Sequence, residues 1–407
     1  MRVGKSDSIV GSLALHGGDP VREVWLPYAR QSVGDEDVAA VVEVLEGDWI
    51  TQGPKIEAFE KTVAEYSGAK YGVAFCNGTA ALHAACDAAG IGTGDEAVTT
   101  PLTFAATANA VVYCGGTPRF ADVRPDTLNI DPDGVAKMIT DRTKAILTVD
   151  FGGHPAELDP IMETARRMGL IVIEDAAHAL GGRYRNRPVG SIADMTILSF
   201  HPVKHITTGE GGLVLTNDAE RAERLRTFRH HGMERPFANR PWHYAISHLG
   251  YNYRITDIQC ALGLSQLGRA EELLTQREAL AHRYRERLTH SPFVTLPTVL
   301  EEVRHAWHIF VVLLNLERIR VDRDEVMRAM RAENIGVQLH YPLVHLHPYY
   351  RRGFDYGEGL CPVAESLFPR LMTLPLFPLM TDSDQEDVLA ALDKVLSHFA
   401  QSDVPAG

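Results

Sequence analysis

The sequence MTILSFHPVKHITTGEGGLVLT, residues 195–216, contains two short apolar runs separated by a polar, glycine-rich loop. The runs Met195–Phe200 and Leu213–Leu215 have the length and composition of buried strands, so we expect the loop to connect two strands. One lysine, Lys204, lies in this loop. Loops at strand ends commonly present reactive side chains, and the amine of a desolvated lysine can form a Schiff base with a carbonyl compound. Alternatively, Lys204 is a solvated surface group.

Strand-like runs alternate with helical patterns before this stretch. Tyr71–Phe75 precedes the alanine-rich helical pattern Ala80–Ala89, and the helical pattern Leu158–Met168 precedes the apolar run Leu170–Glu174. Further strands are predicted at Glu96–Thr100, Arg119–Val123 and Ala145–Val149, and further helices at Asp35–Glu46, Lys55–Ser67 and Phe104–Tyr113. This alternation predicts an α/β domain with a mostly parallel sheet covered by helices on both faces. Ligands of such sheets bind beyond the carboxyl ends of the strands.

The pattern changes after Gly250. Helical periodicity is found at Ile255–Leu267, Ala270–Leu288, Asp324–Glu333 and Asp384–Ser397, with a strand-like run at Ile309–Leu314. This mixture predicts a smaller α+β domain. We therefore expect an N-terminal arm over residues 1–30, a large domain over residues 31–268 and a small domain over residues 269–407.

Composition excludes several classes of protein. The net charge of −13 over 407 residues argues against a general nucleic-acid binder, because phosphate attraction requires a basic face. No apolar run approaches the ~20 residues that span a bilayer, and Met1–Val10 has no apolar signal-peptide core. The five scattered cysteines form no C-x-x-C pair, which fits a reducing cytoplasm. The histidine clusters lack recurrent ligand spacing, so no metal site is predicted.

The turn Asn77-Gly78-Thr79 lies between a predicted strand and the start of a predicted helix. Free amides and the helix dipole favour an anion there, so this turn can bind a phosphate. The hydroxyl of Ser199, at the end of another predicted strand, can join Thr79 on that phosphate. Alternatively, Thr79 is a plain N-cap and Ser199 is an ordinary strand-end serine.

Asp175 directly follows the predicted strand Leu170–Glu174. A buried carboxylate is costly without a positive partner, and the protonated ring nitrogen of pyridoxal phosphate is one such partner. Glu174 is expected to point to the opposite side of the strand, as a structural residue. Phe104 can cover a flat cofactor ring. The alternatives are that Asp175 is an N-cap and that Phe104 belongs to the core.

The ordered series of turn, aromatic residue, aspartate and lysine resembles a known family, the DegT/StrS pyridoxal-phosphate-dependent nucleotide-sugar aminotransferases. The resemblance extends from about residue 26 to residue 396. The motifs that carry it are GDWITQGP (47–54), NGTAALH (77–83), GDEAVT (94–99), EDAAHA (174–179), residues 199–212, GYNYR (250–254), His340-Tyr341 and LPLFP (374–378). One departure is Asn77, where many members carry Ser, and Asn supports the same turn.

The resemblance implies the aspartate aminotransferase fold (fold type I) and a homodimer with shared active sites. It also implies roles for individual residues. Lys204 would form an aldimine with pyridoxal 5'-phosphate, Asp175 would pair with the ring nitrogen, His178 would lie near the phenolic oxygen and Phe104 would stack on the ring. Gly78, Thr79 and Ser199 would hold the phosphate, with Asn252 reaching it from the neighbouring subunit. Thr51, His340 and Tyr341 would border the sugar.

The resemblance further implies transfer of an amino group from glutamate to a nucleotide-linked keto-sugar. The members that aminate C4 of a UDP-linked 4-keto-6-deoxy sugar, as in the pseudaminic acid pathway, are the most similar. The opening LALHGGDPVR, residues 13–22, also resembles members that act on keto-cyclitols, and a 3-keto nucleotide sugar is a further alternative. A dehydratase branch carries histidine at the lysine position, so Lys204 argues against it. A non-catalytic regulatory protein would not need both Lys204 and Asp175.

Overall fold

The computed structural model describes residues 12–236, 239–240 and 242–401 of the chain. Three sequence predictions fall wholly or partly outside the described residues. They are the absence of a signal peptide at Met1–Val10, the first part of the N-terminal arm and the last six residues of the small domain. In chain order, the strands are β1 (Tyr71–Phe75), β2 (Glu96–Thr99), β3 (Thr117–Phe120), β4 (Thr143–Val149), β5 (Ile171–Asp175), β6 (Arg183–Tyr184), β7 (Arg187–Pro188), β8 (Met195–Ser199), β9 (Gly212–Thr216), β10 (Met233–Glu234), β11 (Ala245–Ile246), β12 (Val294–Thr295), β13 (Val303–Arg304), β14 (Phe310–Leu314) and β15 (Leu371–Leu374).

The α-helices account for most of the remaining ordered backbone. In chain order they are α1 (Asp35–Glu46), α2 (Pro54–Ser67), α3 (Gly78–Ala88), α4 (Ala106–Tyr113), α5 (Pro132–Met138), α6 (Leu158–Met168), α7 (Ala219–Phe228), α8 (Asp257–Leu267), α9 (Ala270–Leu288), α10 (Arg323–Ala332), α11 (Pro348–Phe354), α12 (Pro362–Leu367) and α13 (Asp382–His398). Within the described part of the chain, no helix is both long and apolar enough to cross a lipid bilayer.

A seven-stranded sheet with the order β1-β9-β8-β5-β4-β2-β3 forms the centre of the large region. Only β9 runs against its neighbours, and the other pairs from β8 to β3 are parallel. Successive side chains of a strand point to opposite faces. Val73 and Ile197 therefore pack against α3 and α7, whereas Ala74 and Leu198 pack against α2 and α8. Burial on both faces explains the continuous apolar runs in the sequence.

A second, three-stranded antiparallel sheet with the order β12-β14-β15 lies in the C-terminal region. Phe310, Val312 and Leu314 of β14 pack with α10 and α13, whereas Val311 and Leu313 pack in a separate cluster with Val344. The long helix α9 connects the two regions in sequence and begins at Ala270. The boundary predicted at residues 268 and 269 stays a prediction.

The strand predicted at Arg119–Val123 lies two to three residues earlier, as β3, and two details of the predicted site are also wrong. Asp175 is the last residue of β5 rather than the residue after it, because it pairs with Val149 and Ile197 in the parallel ladder. Thr79 is not the N-cap of α3. Asn77 is the cap, and its side-chain oxygen accepts a hydrogen bond from the amide of Ala80 at 2.8 Å.

Candidate active site

A cavity of about 470 Å³ opens at the carboxyl ends of β4, β5 and β8. The start of α3 borders it, as do the loop after β8 and segments that precede β14 and follow α10. Nine of the residues that the sequence selected line this cavity: Gly78, Thr79, Phe104, Asp175, His178, Ser199, Lys204, His340 and Tyr341. The fold thus brings together side chains that lie up to 263 positions apart in the sequence, from Gly78 to Tyr341 (341 − 78 = 263). Their individual roles stay predictions.

Lys204 is half-buried in the loop that joins β8 to β9. The backbone amide of Phe200 donates to Gly211 and that of Thr208 to Phe200, so the loop folds back on itself and is held at its base. Burial is the main cause that lowers the pKa of the Lys204 amine, to about 8; the Asp175 carboxylate opposes this change, and Arg277 adds to it. A pKa this close to neutrality makes a sizeable fraction of the amine available as a nucleophile or base.

Asp175 is buried and is held from two sides. Its Oδ2 accepts a hydrogen bond from the Thr107 hydroxyl at 2.7 Å, and its Oδ1 accepts one from the Ala177 amide at 3.2 Å. Burial raises the pKa of Asp175, and the Thr107 hydroxyl, the Ala177 amide and the Lys204 amine oppose that rise. No helix begins after Asp175, so the alternative interpretation as an N-cap is wrong. A protonated ring nitrogen would supply the positive partner that this carboxylate requires.

The start of α3 and the end of β8 meet at one side of the cavity. A Cβ on Gly78 would lie 3.3 Å from both the Cβ and the Oγ of Ser199, so glycine permits this close approach. The first amides of a helix have no intrahelical acceptor, and the Asn77 side chain satisfies only that of Ala80. The remaining amides, with the Ser199 and Thr79 hydroxyls, are suited to a phosphate group.

Aromatic and imidazole rings form the opposite wall. The Tyr341 hydroxyl lies 3.0 Å from His178 Nε2, and His340 Nδ1 lies 2.9 Å from the Thr373 hydroxyl. Burial holds the pKa of His178 well below its usual range and lowers that of His340 to about 3, so both rings are neutral at pH 7. Phe104 is 60% exposed with its ring 5.9 Å from that of Tyr341, so the alternative that it belongs to the core is wrong.

Thr51 and Asn252 do not line the cavity of a single chain. Both are exposed, Thr51 in a β-bridge with Thr256 and Asn252 in one with His230. Their predicted contacts with sugar and cofactor stay predictions, and that of Asn252 is expected from a neighbouring subunit.

Several cavity residues were not identified from the sequence. His308 precedes β14 and places its Nε2 3.5 Å from Lys204 Nζ, and Tyr28 packs its ring 5.5 Å from that of His340. Neither residue lies in a motif, and both reach the cavity from distant parts of the chain. The sequence does carry a signal for Thr107. It lies in the first turn of a helix that follows a strand, one helical turn after another threonine, Thr103.

The cavity fits pyridoxal phosphate. One side offers helix amides and hydroxyls for a phosphate, Asp175 offers a buried carboxylate without a direct cationic contact, and Lys204 offers an amine with a depressed pKa. Among the residues that the structure describes, no group of three or more histidine, cysteine, aspartate or glutamate side chains is arranged to hold a metal ion.

Comparisons with known proteins agree with this assignment. The model of the DegT/DnrJ/EryC1/StrS aminotransferase family matches residues 31–393. The spore coat polysaccharide biosynthesis protein SpsC of Bacillus subtilis is 42% identical over 381 residues, which cover 92% of this chain and 98% of SpsC.

Solved structures extend the agreement to three dimensions. Helicobacter pylori PseC, an aminotransferase involved in the biosynthesis of pseudoaminic acid, superposes with a TM-score of 0.87 at 31% identity, covering 92% of this chain and 100% of PseC. The putative sugar aminotransferase Spr1654 of Streptococcus pneumoniae, in its PMP form, gives a TM-score of 0.87 at 26% identity, covering 92% of this chain and 100% of that one. Its PLP form is also similar. These matches confirm the predicted fold class, fold type I, and the predicted cofactor.

Proposed function

We propose a specific reaction for this chain, which belongs to the DegT/DnrJ/EryC1/StrS aminotransferase family and is a pyridoxal-phosphate-dependent sugar aminotransferase. The reaction is transfer of an amino group from glutamate to the C4 keto group of a UDP-linked 4-keto-6-deoxy sugar, with an N-acetyl group on the sugar. The observation that carries the proposal is the similarity to PseC over the whole of that chain, combined with the retained Lys204 and Asp175 in one cavity.

The cofactor supplies an electron sink for the pair of electrons released at the donor carbon. Lys204 is placed to accept the proton from that carbon and to return it, because its amine has a pKa near 8. Asp175 stabilises positive charge on the ring nitrogen and thereby strengthens the sink. Glu210 and His201 also line the cavity beside the lysine loop.

The wall opposite Ser199 suits an uncharged sugar. His340, His178 and Tyr341 are neutral hydrogen-bonding groups at pH 7, and the exposed face of Phe104 offers an apolar surface. Neutral donors and acceptors bind hydroxyl and keto groups without the desolvation cost of a charge. This arrangement is consistent with a sugar acceptor.

Residues 13–22, whose similarity to other members favours a keto-cyclitol acceptor, are remote from the cavity. Leu13 is buried in the C-terminal core, and the amides of Ala14 and Val21 both donate to the carboxylate of Glu333 at 2.9 Å. Residues 13–22 all belong to the described part of the chain, and none of them lines the cavity. Their similarity to cyclitol enzymes therefore concerns packing, and the 4-keto sugar is the preferred acceptor.

An acceptor panel tests the proposal. The purified holoenzyme is incubated with glutamate and, separately, with a UDP-4-keto-6-deoxy-N-acetylhexosamine, a 3-keto nucleotide sugar and an inosose, and the aminated products are identified by mass spectrometry. We expect turnover of the UDP-4-keto sugar, with the 2-oxoglutarate formed equal to the amine formed. Turnover of the inosose or the 3-keto sugar alone would refute the C4 assignment.

We also propose a cytoplasmic homodimer with shared sites. Large apolar side chains are exposed along α1 and the turn that follows, with Val38, Leu45 and Trp49 each more than half exposed. Contiguous apolar surface of this kind marks an interface. Thr51 and Asn252 lie outside the cavity of their own chain, as expected if a second copy carries them to it.

Mixing two inactive variants tests the shared site. Lys204→Ala and Asn252→Ala are unfolded together and refolded, so that mixed dimers form. A mixed dimer has one site with both native residues and one with both substitutions, and random pairing should restore about a quarter of wild-type activity. No recovery, with mixed dimers shown by mass, would mean that Asn252 acts within its own chain.

A further inference from the structure

Arg277 is a buried cation without an acidic partner. It lies on α9 with 1% of its surface exposed, and among the described residues it forms no ion pair. Burial lowers the pKa of Arg277 to about 10, which still leaves the guanidinium charged at neutral pH. A buried charge is normally paired with an opposite charge, so its isolation at this point requires a reason.

Carbonyl oxygens from three separate segments hold the guanidinium. Nη1 donates to the carbonyl oxygens of His308 and Leu376 at 3.1 Å, and Nη2 donates to that of Val203 at 3.5 Å. Val203 directly precedes Lys204, and both Val203 and His308 line the cavity. The positive charge of Arg277 is thus fixed immediately behind the cavity wall.

His308 connects this charge to the lysine. Its Nε2 lies 3.5 Å from Lys204 Nζ, and its ring centroid lies 4.4 Å from that of His178. His308 is buried, and burial together with the nearby Lys204, His178 and Arg277 holds its pKa well below the usual range. A neutral imidazole can share a hydrogen bond with the amine without competing for positive charge.

We propose that Arg277 is a positioning residue for the reaction: it holds Lys204 and His308 in contact and opposes a second positive charge at this place in the cavity. The inference rests on the proposed role of Lys204. It assigns to Arg277 no contact with substrate or cofactor. Its effect is transmitted through the Val203 and His308 carbonyls and through the electric field.

The effect of the Arg277 charge on the pKa of Lys204 depends on the other charged groups nearby. The titratable and charged groups that act on Lys204 or line the cavity with it come from several elements: Asp175 from β5, His178 from the turn after it, His201, His205 and Glu210 from its own loop, His308 from the segment before β14, His340 and Tyr341 from the segment after α10, Tyr28 from the N-terminal segment, and Arg277 from α9. The pKa values of all five histidines are lowered, so their rings are neutral near pH 8. Asp175 and Arg277 act on the pKa of the amine in opposite directions, and removal of Arg277 leaves burial alone to oppose Asp175.

The test follows the titration of Lys204 in the cofactor-free protein. The chain has eight lysines (Lys5, Lys55, Lys61, Lys70, Lys137, Lys144, Lys204 and Lys394), so the side-chain resonances of protein labelled with [ε-¹³C]lysine are few. The resonance of Lys204 is assigned by its loss in Lys204→Met. The midpoint of its titration is then measured in wild type, Arg277→Gln, Arg277→Met, Arg277→Lys and Arg285→Met.

Arg285→Met is the matched control, because Arg285 is a partly buried arginine on the same helix that donates to the Pro297 carbonyl at 3.0 Å. We expect the Lys204 midpoint to rise by about one pH unit when the charge of Arg277 is removed. At pH 7 the neutral fraction of the amine would then fall about tenfold, and the rate at which the protein captures pyridoxal phosphate would fall with it. Arg277→Lys and Arg285→Met should keep midpoints near that of wild type.

The variants separate a positioning role from a purely structural one. Arg277→Gln retains amide donors for the carbonyls and so provides a charge-free variant if Arg277→Met fails to fold. An unchanged midpoint in Arg277→Gln, even with a lower unfolding temperature, would overturn the proposal. So would equal shifts in Arg277→Lys and Arg277→Gln. Because the titration requires no acceptor, failure of the sugar assay would leave this result intact.

Discussion

Glu174 and Asp175 are neighbours at the end of β5, yet they are built into opposite environments. Asp175 faces the cavity, where Thr107 and Ala177 donate to it and the Lys204 amine contributes positive potential. Glu174 points to the other face of the sheet, fully buried, with the Thr196 hydroxyl donating to its Oε2 at 2.6 Å. The group that shares this second site is another carboxyl, that of Asp150.

The two sites handle a buried negative charge differently. Burial and the neighbouring Glu174 hold the pKa of Asp150 well above its usual range. Among the described residues, Asp150 Oδ2 and Glu174 Oε1 each have no other hydrogen-bond partner, so a shared proton satisfies both. The acid pair is therefore complete within the protein, whereas Asp175 is balanced only in part and is ready for a positive partner. The end of β5 thus carries one carboxyl that is paired within the protein and one to which we assign a functional role.

The largest expected effect follows from removing the amine that faces Asp175. Lys204→Ala eliminates the proposed nucleophile and proton carrier, and we expect the transamination rate to fall by at least about 10⁴-fold. Lys144→Ala, which removes an exposed lysine on β4, is the control and should keep wild-type activity. Steady-state rates with glutamate and the preferred acceptor measure the effect, and substantial activity in Lys204→Ala would end its assignment as the catalytic base.

The second prediction compares the loss of activity on substitution at the two carboxyl sites. Asp175→Asn keeps the volume and removes the charge, so we expect a loss of about 10²–10⁴-fold in rate, comparable to other groups that act on charge in the transition state. Asp150→Asn replaces a carboxyl that already carries a proton, so its rate should stay within a few-fold of wild type. Equal losses in the two variants would show that the two sites do not differ in the way described.

The third prediction concerns pH and stability. Because the pKa of Asp150 is raised in the folded state above its ordinary value of 3.8, folding binds a proton at this site. The contribution is fully present below that value and is lost as the pH rises through the folded pKa, at about 1.4 kcal/mol per pH unit for one proton. Urea unfolding of Asp150→Asn from pH 4 to pH 7 should therefore show a flatter pH dependence than wild type. An unchanged slope would mean that Asp150 is ionised in the fold.

The smallest expected effect separates two buried threonines. Thr107→Val removes the hydroxyl that donates to Asp175 and leaves a buried acceptor unsatisfied, which costs about 1–3 kcal/mol of stability or cofactor affinity. The Thr148 hydroxyl on β4 is buried without a partner, so Thr148→Val should cost little or be stabilising. Thermal unfolding and cofactor titration of both variants provide the comparison. Equal effects would mean that the Thr107 hydrogen bond contributes nothing specific.

Much of the secondary structure could be predicted from the sequence. The strand Tyr71–Phe75 and the helices Asp35–Glu46, Leu158–Met168 and Ala270–Leu288 have the predicted bounds, because their apolar periodicity is clear and their ends carry glycine or another stop signal. Elements without such contrast were missed. Helix α7 is strongly polar but begins after an Asp218 cap that could have been recognised, and β15 is a four-residue run between prolines.

The site was predictable only where motifs marked it. Asp175 and Ser199 end strands β5 and β8, and Thr79 and Lys204 follow β1 and β8. These strands end at one edge of the sheet, so the convergence of the four residues follows from topology. His308, Tyr28 and Arg277 enter from a loop, the N-terminal segment and a helix whose placement depends on long-range packing. Their residue types do not predict that they lie at the cavity. A buried arginine in particular cannot be distinguished from an exposed one in a sequence.

The covalent attachment site of the cofactor tests the central claim most directly. The holoenzyme is reduced with borohydride, which fixes the cofactor to the amine that holds it, and is then digested and mapped by mass spectrometry. We predict a phosphopyridoxyl group on the peptide that contains Lys204 and on none of those with the other seven lysines (8 − 1 = 7). A label on another lysine, or no label on a protein saturated with pyridoxal phosphate, would contradict the assignment of this cavity as the active site.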